Sequence, residues 1–259
     1  MNICASYLTL AGSSYGKPAR YSPLERAQAA HAAGIPAIGV SMHEDIDESV
    51  LRYVTVPEAE WVELSFPLFT EERYRLAALR NVLGVTRINA GVTLPRVSIA
   101  EAAVNLARLA EITAPLGITV AVEPVAFGSH KTIDDIRMVL KASGVSPEHA
   151  GLLYDWWQTS YDPENLFAFG EHEPLPPLAE VQLCGFREDD PDTEDPAVTS
   201  QDRPLLADCA PSSVRWLRDE LRKISPDVPL SYEMPRADWR ELPLIDVAEL
   251  AAKDMSLLS

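Results

Sequence analysis

The chain has 259 residues, 47% of them hydrophobic, and a formal net charge of −17. That length fits two small domains or one α/β barrel, and the apolar share is ample for a large core. So acidic a balance argues against nucleic acid and anionic membranes, because phosphate recognition draws on clustered Lys and Arg.

A small-molecule ligand is therefore expected. No run reaches the roughly 18 apolar residues that a membrane span needs. The three cysteines, Cys4, Cys184 and Cys209, lack metal-like spacing and read as reduced thiols of a cytoplasmic protein.

In chain order, "NICASYLTL" lacks the basic region of a signal peptide and reads as a first strand. "SPLERAQAAHAAG" opens on a Ser cap, carries Pro in the first turn and stops at Gly34, the pattern of a helix. "IPAIGVSMH" and "EWVELSF" are the next strand signals. "TEERYRLAALRNVLG" follows as a helix with acids in its first turn and an end at Gly84. "VTRINAGV" precedes the long Ala- and Leu-spaced helix "SIAEAAVNLARLAEITAPLG". "ITVAVEP" precedes "TIDDIRMVLKASG". Then come the strands "AGLLYD", "EVQLCGF" and "PLSYEMP", and the helices "PSSVRWLRDELRKI" and "DVAELAAKDMSLLS".

Eight strand signals give about 32 residues per repeat, the size of a βα unit. The expectation is a single-domain (β/α)8 TIM barrel over residues 1–259. A doubly wound sheet would announce itself with a Gly-rich first turn, and "AGSSYGKPARYSP" is not one. The segment 187–202 is acidic and Pro-bearing, and reads equally as a lid or as a solvated loop.

In such a barrel, chemistry collects where strands end. "LLYDWWQ" is telling: a buried run terminates in Asp155, two tryptophans and Gln158. The neighbouring strands carry Glu123 ("AVEP"), Gln182 ("VQLCGF") and Glu233 ("SYEMP") near the same level. Converging carboxylates repel; a like-charge pair at 4 Å costs roughly 4 kcal/mol at an effective dielectric near 20. A cation, a proton or salt bridges must offset this. All four groups offer oxygen, which suits a hard divalent ion, Mg²⁺ or Mn²⁺, with Co²⁺ or Zn²⁺ also accommodated. The bland reading is that each acid caps a helix or pairs with Arg.

The stretch from "LGVTRINAGV" through "AVEPVAFGSH", "AGLLYDWWQ" and "VQLCGF" to "SYEMP" resembles the xylose isomerase-like TIM-barrel superfamily of sugar and sugar-phosphate isomerases and epimerases, inosose dehydratases and 3-dehydroshikimate dehydratases. The resemblance implies a divalent metal held by Glu123, Asp155, Gln182 and Glu233, with Glu123 and Glu233 also moving the substrate proton. Gln at the third ligand position and "GSH" after Glu123 look like the dehydroshikimate dehydratase branch, which would put His130 near the metal. Three departures stand against that branch. Its Asp-x-x-His becomes Asp155-Trp156-Trp157-Gln158, the acid after "QLC" becomes Gly185, and the Arg before a Gly-x-Gly turn becomes Arg203 before "PLLADC". Gln158 cannot shuttle protons near neutral pH.

The implied chemistry is isomerisation or epimerisation of a small hydroxy-carbonyl compound through an enediolate-type intermediate, with dehydration as the alternative. Dehydration needs an acid for the departing hydroxyl, for which His130 or His43 remains. Gln158, His130, His43, Trp157, Arg187 and Arg203 are the candidates for substrate contact, the arginines as clamps for a carboxylate or phosphate. The ordinary role of the adjacent Trp156 and Trp157 is packing under a lid, with one of them lining the pocket as the alternative. His31, His149 and His172 read as surface or loop residues. A homodimer is allowed. A degenerate barrel that binds a ligand without catalysis stays open, whereas five scattered histidines and the acidic charge argue against a DNA-repair nuclease of the same superfamily.

Overall fold

Eight parallel strands close on themselves in sequence order, β1 (Ile3–Ala5), β2 (Ala37–Ser41), β3 (Thr55–Glu63), β4 (Arg87–Gly91), β5 (Thr119–Val122), β6 (Ala150–Asp155), β7 (Leu178–Leu183) and β8 (Leu230–Tyr232). Closure is made by β1 against β8, with Cys4 opposite Ser231. This computed structural model describes residues 3–14, 16–160, 175–185, 201–223 and 228–258. Every strand signal of the sequence falls on one of these strands. "NICASYLTL" is shorter as a strand than expected, since its second half coils into a one-turn helix α1 (Tyr7–Leu10).

The helices outside the barrel are α2 (Pro23–Ala32), α3 (Thr70–Ala78), α4 (Ile99–Thr113), α5 (Ile133–Ser143), α6 (Trp156–Ser160) and α7 (Pro211–Lys223), each between two strands, and α8 (Leu244–Met255) after β8. Reciprocal capping pairs Ser22/Glu25, Ser98/Glu101 and Thr132/Asp135 start α2, α4 and α5 by satisfying amides that the first turn leaves over. α3 widens into a π-helical turn at Leu79–Leu83 and stops at Gly84, whose φ of +77° suits a residue without a Cβ. Among the described residues no helix is long and apolar enough to cross a membrane. Cys4, Cys184 and Cys209 are buried.

The main apolar cluster lies between the strands and the helices, as parallel strands covered on their outer face require. The inside of the barrel is different. Two-residue alternation sends a polar set inward on β3, β4, β7 and β8. Arg87 Nε donates to Glu180 at 3.0 Å, its Nη2 lies 3.3 Å from Glu58, and Ser231 donates to Glu180. Burial first, then the Glu180 charge, pushes the Glu58 carboxyl well above its ordinary value. One repeat higher along the same strands come Glu60, Asn89, Gln182 and Glu233, which border the open mouth.

Candidate active site

The mouth is assembled by register. Asp155 pairs with Gln182 across β6–β7, and Gln182 with Ser231 across β7–β8. Glu233 follows β8 and is held by its amide to Leu183 O at 2.9 Å; Glu123 follows β5 and is held to Ala90 O at 2.8 Å. Oxygen atoms of Glu123, Asp155 and Glu233 all come within 4.8 Å of one another. Gln182, 2% exposed, keeps its Oε1 buried with no hydrogen-bond partner. The four strand-end groups named from the sequence thus meet at one end of the barrel.

The crowding is electrostatically costly. Burial, then Asp155, then Glu233 push the Glu123 carboxyl well above the carboxylate range. Burial pushes Glu233 up to about 7 against the pull of Arg203, with Asp155 adding to the rise. Burial and Glu233 push Glu60 up in turn.

Arg203 supplies the one positive charge at the described mouth. It is 2% exposed; its Nη1 lies 3.0 Å from Asp155 Oδ2 and 3.3 Å from Oδ1, and its Nη2 lies 2.6 Å from Glu233 Oε2. Burial opposes that charge, but Asp155 and Glu233 outweigh it and hold the guanidinium protonated. The expected substrate clamp is therefore already engaged by two protein carboxylates. Asp155 also carries the cap that the bland reading foresaw, accepting the Trp157 and Gln158 amides at 2.7 and 3.3 Å.

Both pairings coexist with convergence, because three carboxylates against one guanidinium still leave two negative charges. A buried excess of that size calls for protons or a divalent cation. The donor set fits such a cation: three carboxylates and an unpartnered amide oxygen, all hard ligands.

The departure at Gly185 has a steric cause. A Cβ there would lie 2.1 Å from Leu205 O and 2.6 Å from Pro204 O. The Gly185 amide donates to Pro204 O at 2.9 Å, so the segment after Arg203 lies directly on the end of β7. An acid at 185 and this path of the chain exclude each other. Where the resembled family has a glycine turn, Leu206 and Ala207 instead donate their amides to Asp254 of α8 at 2.8 and 2.9 Å, and Tyr232 Oη donates to the same carboxylate at 2.6 Å. Gly185→Ala is expected to cost about 1–3 kcal/mol as an overpacked site and to loosen Arg203. Urea unfolding reads the first effect; a Gly185→Ala protein as stable as the wild type would show that the segment lies elsewhere.

The other sequence candidates divide. Gln158 lines the cavity, with Oε1 accepting from the Ala126 amide at 3.0 Å. His130 is 3% exposed with Nε2 unpartnered, yet it is not among the cavity-lining residues. His43 is exposed beyond β2, where its amide bonds to the Ser41 side chain, away from the cavity. Trp157 is buried and does not border the cavity, and Trp156 packs on Tyr154 and Trp216 at ring separations of 6.2 and 5.6 Å. Adjacent residues of a helix cannot both turn into the mouth, and the core takes both rings. Arg187, His172 and most of the acidic segment 187–202 lie outside the described residues.

Sequence reasoning missed Glu60 and Asn89, which border a cavity of about 90 Å³ with Glu123, Gln182, Arg203 and Glu233. A signal was present: Glu58 and Glu60, like Arg87 and Asn89, are polar at two-residue spacing inside otherwise apolar strands.

By sequence, no protein-family model and no curated protein matches the chain. Solved structures do. A xylose isomerase domain-containing protein from Salmonella typhimurium LT2 matches with a TM-score of 0.74 at 13% identity, over 99% of this chain and 97% of that one. The IolI protein, solved with a bound zinc atom, matches at 0.72 and 14%, over 100% and 98%. The probable 3-DHS dehydratase AsbF from Bacillus anthracis matches at 0.72 and 13%, over 99% of each chain. Sugar epimerases are among the further structures of the same shape. At these identities what is shared is the architecture, and by its fold the chain is a closed (β/α)8 barrel of the shape these structures have.

Proposed function

We propose that the chain is a divalent-metal-dependent isomerase or epimerase acting on a small hydroxy-carbonyl compound. The observation that carries this reading is the meeting of Glu123, Asp155 and Glu233 within 4.8 Å beside an unpartnered Gln182 oxygen. Solved barrels of the same fold include a zinc-bound protein and epimerases, which supports the metal and the reaction class. Glu123, Asp155, Gln182 and Glu233 would hold the ion, Mg²⁺ or Mn²⁺ by their oxygen chemistry.

When bound, the ion acts as a Lewis acid that polarises the substrate carbonyl and acidifies the neighbouring C–H. Glu123 and Glu233, just past the ends of β5 and β8, both border the cavity, so one can remove the proton and the other return it, which inverts the stereocentre or moves the carbonyl. Arg203 fixes the Glu233 carboxylate through its 2.6 Å contact. Gln158, with its oxygen taken by Ala126, has its amide N–H left to orient a substrate oxygen. Dehydration is less well served, since neither His43 nor His130 borders the cavity.

Calorimetric titration with Mn²⁺ at pH 8 is expected to show one site per chain. Affinity should fall at least tenfold per pH unit below about 7, because Glu233 must surrender its proton to bind, and Glu123, pushed up as well, steepens the fall. The sign for stability agrees. A carboxyl whose folded pKa is raised holds its proton better folded than unfolded, so the metal-free protein loses stability as pH climbs from the ordinary carboxylate range through about 7. Substrates are then sought by deuterium exchange at the carbonyl-adjacent carbon of ketoses, inososes and cyclic hydroxy-ketones. A second reading, a non-catalytic barrel with Arg203 as permanent counter-ion, is favoured by the two ion pairs of that residue. A flat Mn²⁺ titration would select it.

A further inference from the structure

The β3–β4 side of the cavity holds a polar group that the metal chemistry does not use. Asn89 is 6% exposed, borders the cavity, and has both Oδ1 and Nδ2 buried without a partner. Desolvating both ends of an amide is unfavourable unless something restores the bonds. The acids beside it already have partners: Glu63 accepts from the Ser65 and Thr93 amides at 3.0 Å each, and Glu60 accepts from the Tyr7 amide at 2.9 Å. Glu60 stands on the adjacent strand at the same level, as the pairings Ala59–Ile88 and Val62–Ala90 bracket it.

We infer that Asn89, with Glu60 beside it, is a specificity subsite that reads neighbouring hydroxyl groups of an uncharged polyol chain or ring. This rests on the hydroxy-carbonyl reading above and adds what the rest of the substrate is. The amide offers one donor face and one acceptor. A hydroxyl can accept from Nδ2 and a vicinal hydroxyl can donate to Oδ1, while the Glu60 carboxyl, whose proton burial favours, can exchange a bond with either. A phosphate or carboxylate brings no proton for Oδ1 and would lie against Glu63. Among the described residues bordering the cavity the sole cation is Arg203, already held by Asp155 and Glu233. Substrates that differ only in a terminal anionic group are thus separated on this side of the mouth.

The test is calorimetry with ribitol, ribonate and ribitol 5-phosphate, each against wild-type, Asn89→Leu and Asn89→Ala proteins, with and without Mn²⁺. Ribitol is expected to bind at least tenfold more tightly than either anion, and both variants to weaken it ten- to a hundredfold. Their Mn²⁺ affinity should stay within twofold of the wild type. The ligand-free Asn89→Leu protein should melt no lower than the wild type, since it buries no unpartnered amide; a purely structural Asn89 would give a lower melting point and unchanged ribitol binding. Equal or tighter binding of ribonate or the phosphate ester, no ribitol binding at all, or ribitol binding indifferent to Asn89 overturns the subsite. Failure of the metal reading is a separate event: Mn²⁺ would not bind, while the Asn89-dependent preference for ribitol would still be read in its absence.

Discussion

Glu233→Gln is expected to slow carbonyl-adjacent C–H exchange by about a thousandfold at saturating Mn²⁺, the scale of a lost general acid–base group. The substitution keeps the shape of the side chain and an oxygen for Arg203. It removes the ability to take up and return a proton, and turns an anionic ligand into a neutral one. Metal affinity should therefore drop as well, and saturation separates that loss from the chemical one. A substrate identified with the wild type is incubated in D₂O, and label incorporation is followed by NMR. A variant within fivefold of the wild-type rate would remove Glu233 from proton transfer and with it the two-carboxylate scheme.

Arg203→Met is expected to lower the melting temperature of the metal-free protein by roughly 10 °C. Removing one partner of a buried ion pair costs about 3–5 kcal/mol, and a chain of this size loses about 2–4 °C per kcal/mol. Here one guanidinium serves two carboxylates, Asp155 and Glu233, at 3.0 and 2.6 Å, so both are stranded together. Mn²⁺ should restore more stability to the variant than to the wild type, because it then compensates three uncovered carboxylates. Parallel scanning calorimetry of both proteins, with Mn²⁺ and with EDTA, reads both effects. An unchanged melting point would mean that protons already neutralise the mouth and that Arg203 is a bystander.

Much of this architecture is legible in the chain because barrel strands are buried on both faces and interrupt helical periodicity as short apolar runs. Asp155 and Glu233 stand out for the same reason, as carboxylates at the very place an apolar run stops. Arg203 is reached only through the resemblance, as a substrate clamp, and its pairing with Asp155 and Glu233 is not legible. Its position depends on Gly185 clearing a path for residues 204–205 and on Asp254, some fifty positions along the chain, gripping the Leu206 and Ala207 amides. No local pattern encodes such a meeting. Asn89 and Glu60 fall between these cases: their spacing is visible in the sequence, but only closure of the sheet turns an alternating polar residue into a wall of the cavity. His43 shows the converse, a strand-end histidine that the loop carries outward. The tryptophans after Asp155 are explained by the outer packing layer, where Trp156 meets Trp216 of α7.

The grip of Asp254 on Tyr232, Leu206 and Ala207 reaches the mouth from α8. The segment that carries Arg203 is tied to that outer helix and also, through Pro204 and Pro235, to the chain just beyond β7 and β8. The counter-charge of the mouth is thus anchored from outside the barrel as well as from within it. A substitution at Asp254, remote from every oxygen of the mouth, would be felt among the carboxylates.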